Sequence, residues 1–295
     1  MIVDSDELRT SYPWNQQRVN IFRNPDEDRA HLRRLGTIRQ QSVSGIVSGR
    51  IDNGTIQILE NSKMPLREYC MLDPARPLRI SHTADGPTIA VVSINLSAPA
   101  PHMSAAEAAH AAALPIPKRR AQWLAGRVAA KHAVQAYRQK HFGLLDATSD
   151  IVVRTVDTGP RAGMPVVDSS VGISISHSGG LAVAACASDP VGIDLERNRT
   201  FSPLLEAELG TAETGHSRLD TMGTPLRWVC REAVLKYFGF GLRVDPREVR
   251  LTGWRADGAF RWTAGPHLRS VAAAGRWPRR AWAVESADYS LALVW

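Results

Sequence analysis

The chain has no apolar run approaching the roughly 18–20 residues of a membrane span. Its opening, Met1-Ile2-Val3-Asp4-Ser5-Asp6-Glu7, is acidic and lacks the apolar segment of a secretory signal peptide. Cysteine is scarce. Cys70, Cys186 and Cys230 form no Cys-x-x-Cys pair and no metal-ligand spacing, which argues against a disulfide scaffold and suits reduced thiols. No Gly-x-Ser-x-Gly elbow marks a serine hydrolase. No face interleaves aromatic and basic positions as a nucleic-acid-binding surface does. The expectation is a soluble, cytoplasmic protein with neither a membrane nor a nucleic-acid partner.

What is present is apolar content, positive charge and alternation. At 295 residues and 44% hydrophobic, the chain can bury one large core or two modest ones. The net charge of +7 is uneven: residues 1–87 hold 12 Lys+Arg against 11 Asp+Glu, and residues 88–295 hold 24 against 18. The basic C-terminal two-thirds favours anionic partners. Residues 1–87 read as an N-terminal extension without a motif, containing two short strands around Asn53-Gly54. From Thr88 the pattern changes. Strands are predicted at 88–96, 151–156, 171–178, 181–187, 191–196 and 289–295. Helices are predicted at 118–140 and 226–238, with two helical pieces within 201–222. Strands and helices interleave twice at similar length, over about 88–187 and about 188–295. This predicts an α/β domain, 88–295, made of two similar subdomains.

Four groups of residues carry chemistry. Asp194 and Glu196 lie two apart in a strand, so both carboxylates point the same way. They are either solvent-facing acids of an edge strand or hard oxygen ligands for Mg²⁺. Trp228, Glu232 and Lys236 share one helix face, either as a surface Glu–Lys pair or as a third carboxylate with a phosphate-holding lysine. Arg120, Arg127, Lys131 and Arg138 fall within about 20° of one line on their helix. That line is either a solvated stripe or a phosphate-contacting ridge. Ser174, Ser176 and Ser178 share a strand face, with His177 on the other, just before Gly179-Gly180; such a turn can grip phosphate.

In this order and spacing the pieces resemble the 4′-phosphopantetheinyl transferases, in the larger class typified by the surfactin synthetase activator. Ser174-Ile175-Ser176-His177-Ser178 is similar to the family's Asn-x-Ser-His-Ser segment. Gly192-Ile193-Asp194-Leu195-Glu196 is similar to its Gly-Ile-Asp-Ile-Glu motif. Trp228-x-x-Arg231-Glu232-Ala233-x-x-Lys236 resembles its Trp-x-x-Lys-Glu-Ala-x-x-Lys motif. Leu124-Ala125-Gly126-Arg127 and Gly163-Met164-Pro165 resemble its Ala-Gly-Arg helix and its Gly-Lys/Arg-Pro turn. The resemblance covers about 88–295.

It implies a pseudo-twofold pair of α/β subdomains with coenzyme A between them. It implies transfer of the phosphopantetheine arm to a serine of an acyl or peptidyl carrier protein, by a monomer. Asp194, Glu196 and Glu232 would hold Mg²⁺ (or Mn²⁺). Arg120, Arg127, Lys131, Arg161, Ser176, His177 and Lys236 would bind coenzyme A, and Glu232 and Lys236 would be catalytic. An acidic carrier would dock near 188–226, beside Arg197, Arg199, Arg218 and Arg227. Arg231, Ser174 and Met164 depart from the family's Lys, Asn and Lys/Arg. The alternative is a non-catalytic carrier-binding module of a megasynthase.

Overall fold

A computed structural model describes residues 42–43, 46–51, 54–60, 78–81, 86–94, 100–168, 170–210, 218–273 and 275–295. Residues 1–41 and 61–77 of the predicted extension lie outside this set. The strands are β1 Ser42–Val43, β2 Ile46–Ile51, β3 Gly54–Glu60, β4 Leu78–Ser81, β5 Thr88–Ser93, β6 Val153–Thr155, β7 Pro165–Val167, β8 Gly172–Ser178, β9 Leu181–Ala187, β10 Gly192–Arg197, β11 Val249–Trp254, β12 Phe260–Ala264, β13 Ala281–Glu285 and β14 Tyr289–Val294. The α-helices are α1 Ala105–Ala113, α2 Pro117–Phe142, α3 Pro203–Gly210, α4 Thr224–Tyr237 and α5 Pro266–Ala272. The chain is therefore mixed α/β, with helices on small, mainly antiparallel sheets.

One sheet has the order β1-β2-β3-β4-β5-β9-β8 and a second the order β10-β14-β13. Two hairpins, β6-β7 and β11-β12, stand apart. The order of elements repeats. A strand (β5 or β10) is followed by two α-helices, a two-stranded hairpin and two more strands, with α5 inserted after the second hairpin, and the first strand pairs with the last. The β2–β3 pairing brackets residues 52–53, with Ile51 opposite Gly54. β4 pairs antiparallel with β5, so strands from the predicted extension continue the first sheet.

Burial explains why β9, Leu-Ala-Val-Ala-Ala-Cys-Ala, is apolar throughout: every residue in it is buried. Ala182, Ala184 and Cys186 pack beneath Val128, Ala129, Ala133 and Val134 of α2. Leu181, Val183 and Ala185 face the other way and meet Ile193, Leu195, Leu291 and Leu293 of the second sheet. Behind that sheet, Val229, Ala233 and Val234 of α4 pack with Ala283, Ala292 and Val294. The layers are thus helix, sheet, sheet, helix. Each large aliphatic side chain buried here contributes about 1.5–3 kcal/mol of transfer free energy. Small residues in β9 let the layers approach.

Helix α1 lies where the sequence reads as a Pro/Ala-rich connection. Its signal is local: Ser104 accepts from the Glu107 backbone N–H, and Glu107 reaches back to the Ser104 N–H, closing a capping box. No helix among the described residues is long and apolar enough to cross a membrane.

Candidate functional site

β8 and β10 each end a sheet, and their backbones are not laddered together. Serine hydroxyls join them instead. The N–H groups of Ile193, Leu195 and Arg197 donate to the Oγ atoms of Ser174, Ser176 and Ser178 at 3.1, 3.3 and 3.0 Å. The period of two that puts three serines on one face of β8 matches the period of outward N–H groups along β10. Ile193 and Leu195 then face the shared core, and Asp194 and Glu196 project on the opposite side. α4 lies directly on β10. A Cβ on Gly192 would collide with the Ala233 carbonyl and stand 2.6 Å from the Tyr237 nitrogen, so only glycine permits this approach. The approach brings Glu232 and Lys236 beside Asp194.

Asp194 Oδ1 accepts two hydrogen bonds, from Lys236 Nζ at 2.6 Å and from Ser176 Oγ at 2.6 Å. Glu196 Oε1 accepts from Arg199 Nε at 3.1 Å. The Arg199 guanidinium lies over the Phe201 ring at 4.9 Å, and Phe201 contacts Trp228, one turn before Glu232. Glu232 is buried and has no hydrogen bond or ion pair to another described residue. Burial pushes its carboxyl up to about 7; the Lys236 ammonium opposes this, and the Asp194 and Glu196 carboxylates add to it. His177 shares the same field. Loss of solvent first, and then the Lys236 charge, holds its imidazole below the ordinary value, with Arg119 acting the same way and Asp194 opposing. His177 is exposed at the strand end, although neighbouring atoms crowd its ring.

Several predicted phosphate contacts are committed elsewhere. Ser176 is buried, and its hydroxyl donates to Asp194 while accepting from the Leu195 N–H, so it positions a carboxylate. Arg120 donates to the carbonyls of Leu114 at 3.2 and 2.7 Å and of Ala112 at 3.3 Å, closing the C-terminal end of α1. Lys131 is fully buried and pairs with Glu107 at 2.5 Å, neither solvated nor facing an anion site. Arg127 is buried over the Trp123 ring at 4.9 Å and donates to Thr155 Oγ1 at 2.8 Å. Arg138 pairs with Asp146 at 2.7 Å. The basic line on α2 is therefore a set of clamps.

Arg161 is half-buried. It and Met164 abut Gly239, whose φ of +80° and lack of a Cβ let the turn before β7 sit on the end of α4. Arg231 is buried with Nε on the Val249 carbonyl at 3.1 Å and Nη2 on the Leu209 carbonyl at 3.0 Å. It pins β11 and α3. Ser174 serves the seam through the Ile193 N–H. Of the predicted docking arginines, Arg227 is tied to the carbonyls of Met222 and Leu219, Arg199 to Glu196, and Arg197 is exposed. The Arg218 side chain lies outside the described residues.

Arg119 is the site-side cation that sequence reasoning missed. It sits one residue off the stripe, within Lys118-Arg119-Arg120, and that run was its only signal. Among the described residues no three His, Cys, Asp or Glu side chains are arranged to hold a metal ion as they stand. Asp194 and Glu196 instead have their own cationic partners. A cavity of about 370 Å³ lined by Trp262, Thr263, Ala264, Arg269, Trp277 and Pro278 shares no residue with this cluster. No protein-family profile and no curated protein sequence matches this chain.

Proposed function

We propose that the chain is a 4′-phosphopantetheinyl transferase that moves the phosphopantetheine arm of coenzyme A to a serine of an acyl or peptidyl carrier protein. On this reading the repeated order of elements is the family's pseudo-twofold fold, and the enzyme works in the cytoplasm as a monomer. One observation carries the reading: Lys236 pairs with Asp194 at 2.6 Å, with the buried Glu232 and with Glu196 in the same electrostatic field. A structural Glu–Lys pair has no need of two further acids.

The donor set fits a hard divalent cation in its chemistry, being all carboxylate oxygen with Glu232 in the field of Asp194 and Glu196. Asp194, Glu196 and Glu232 would hold Mg²⁺ or Mn²⁺, which when bound spreads the negative charge of a pyrophosphate. The carrier serine oxygen forms a bond to the phosphorus nearer the pantetheine. The bond from that phosphorus to the bridging oxygen breaks, releasing adenosine 3′,5′-bisphosphate. Glu232, the acid of the three without a hydrogen-bonded cation, would accept the serine proton. Lys236 neutralises the phosphate oxygens of the leaving group. On this reading His177, Arg119 and Arg161 would bind coenzyme A.

The test is intact-protein mass spectrometry of an apo carrier incubated with the chain, coenzyme A and Mg²⁺. The carrier gains the mass of one phosphopantetheine arm. Absence of that gain across several acyl and peptidyl carriers, while each still binds, turns the conclusion to a non-catalytic carrier-binding module.

A further inference from the structure

Lys236 carries more than a leaving-group role. Its Nζ lies 2.6 Å from Asp194 Oδ1, and its side chain is 22% exposed against 6% for Asp194. Ser176 Oγ holds the same oxygen from the other side at 2.6 Å. The oxygen that a divalent ion would take from Asp194 therefore already has a cation on it. Glu196 is likewise held by Arg199, whose guanidinium is 62% exposed and readily replaced. Glu232 has no hydrogen-bonded partner among the described residues, and its neighbours in the field are Lys236, Asp194 and Glu196. Lys236 thus pairs directly with Asp194, and Glu232 feels the charges of Lys236, Asp194 and Glu196.

Resting on the metal-site part of the proposed function, we infer that Lys236 is the resident counter-cation of the ion-free site, and that a divalent ion enters by displacing its ammonium from Asp194. The displacement has a second result. A lysine held on Asp194 has its charge largely met there; a displaced one can turn it fully to a substrate phosphate, because four methylenes let its head move while Ser176 keeps Asp194 in place. Ion entry thus arms Lys236 for the anionic substrate. On this reading the cation binds before coenzyme A.

Two measurements on the full chain decide this. In the first, Lys236 of the metal-stripped protein is labelled with an amine-reactive acetylating reagent, with and without Mg²⁺ and in the absence of coenzyme A. The label is read by mass spectrometry on the peptide that contains residue 236. Release of the ammonium raises the labelling rate at Lys236 several-fold, while Lys118 and Lys140 keep their rates. In the second, Mg²⁺ binding is measured by calorimetry for wild type, Lys236→Met and Lys236→Arg. Loss of the competitor tightens Mg²⁺ binding of Lys236→Met by roughly tenfold, equivalent to about 1.4 kcal/mol. Lys236→Arg, which keeps a cation there, stays close to wild type. Should Lys236→Met fail to fold, labelling of the wild type still decides. Mg²⁺ binding with an unchanged labelling rate at Lys236 overturns the exchange and leaves the metal site standing. No heat of Mg²⁺ binding in any of the three proteins overturns the metal site and the exchange together. Neither result depends on whether a carrier is modified.

Discussion

Two lysine–carboxylate pairs sit on the two long helices, and their difference shows how one chemical unit serves two ends. Lys131 and Glu107 are 2.5 Å apart and 0% and 6% exposed. Burial raises the Glu107 carboxyl, but hydrogen bonds from Lys131 and Ser104 and the Lys131 charge more than offset it, so the carboxyl sits below its ordinary 4.5. Lys236 and Asp194 are 2.6 Å apart, but the lysine is 22% exposed and two more acids stand nearby. The first pair has matched charge and no access to solvent; it ties α1 to α2. The second has one acid, Glu232, without a paired cation, and an open side. Balance and access, not the identity of the pair, separate a structural clamp from a site.

The sharpest way to break this comparison is to remove the surplus acid. Glu232→Gln keeps the shape of the site and loses the proton acceptor. It should slow carrier modification by about 10²–10⁴-fold, the range for a general base. A single-turnover rate within a few-fold of wild type ends Glu232's catalytic role. Next comes the sealed pair. Lys131→Met leaves Glu107 charged and buried, and should cost about 3–5 kcal/mol in urea unfolding. Pairing it with Glu107→Leu should recover most of that, short of about 1 kcal/mol for the lost cap. The KM for coenzyme A of the double variant should equal that of wild type. A raised KM restores Lys131 as a phosphate contact.

The pH response distinguishes the pairs with a smaller effect, and the signs oppose. Glu107 has a depressed folded value, so its stabilisation is full above 4.5 and is lost as pH falls through the lower folded value. Glu232 has a raised folded value. Its contribution is therefore most favourable below 4.5 and is lost as pH rises through about 7. In metal-free protein, Glu232→Gln should raise Tm at pH 8 and leave it nearly unchanged at pH 4. Glu107→Gln should lower Tm at pH 8 and by less at pH 3. Equal shifts of both variants at both pH values break the contrast.

Periodicity alone located β5, α2, the β8-β9-β10 run, α4 and β14, because each couples a clear apolar pattern to a turn or a cap. α1 escaped because its apolar residues are alanines, and its one firm signal was Ser104 with Glu107 three residues on. Alternation and helix spacing correctly assigned the shared faces of Asp194 with Glu196 and of Glu232 with Lys236. The bonds of Ser176, Arg120 and Lys131 were not legible. A polar group's commitments depend on partners that folding brings in, such as Glu107, 24 residues before Lys131. Arg231 shows the same limit, since its acceptors on Leu209 and Val249 lie on other elements.

The serine rungs between β8 and β10 also bear on how the protein behaves at high concentration. A strand that ends a sheet offers a row of unpaired N–H and C=O groups, on which a second chain can add a strand. Ser174, Ser176 and Ser178 occupy that row on β10, and β8 lies against it. The edge of β10 is thereby closed within a single molecule. Replacing the three serines with alanine would reopen an adhesive edge, and self-association would accompany any loss of stability.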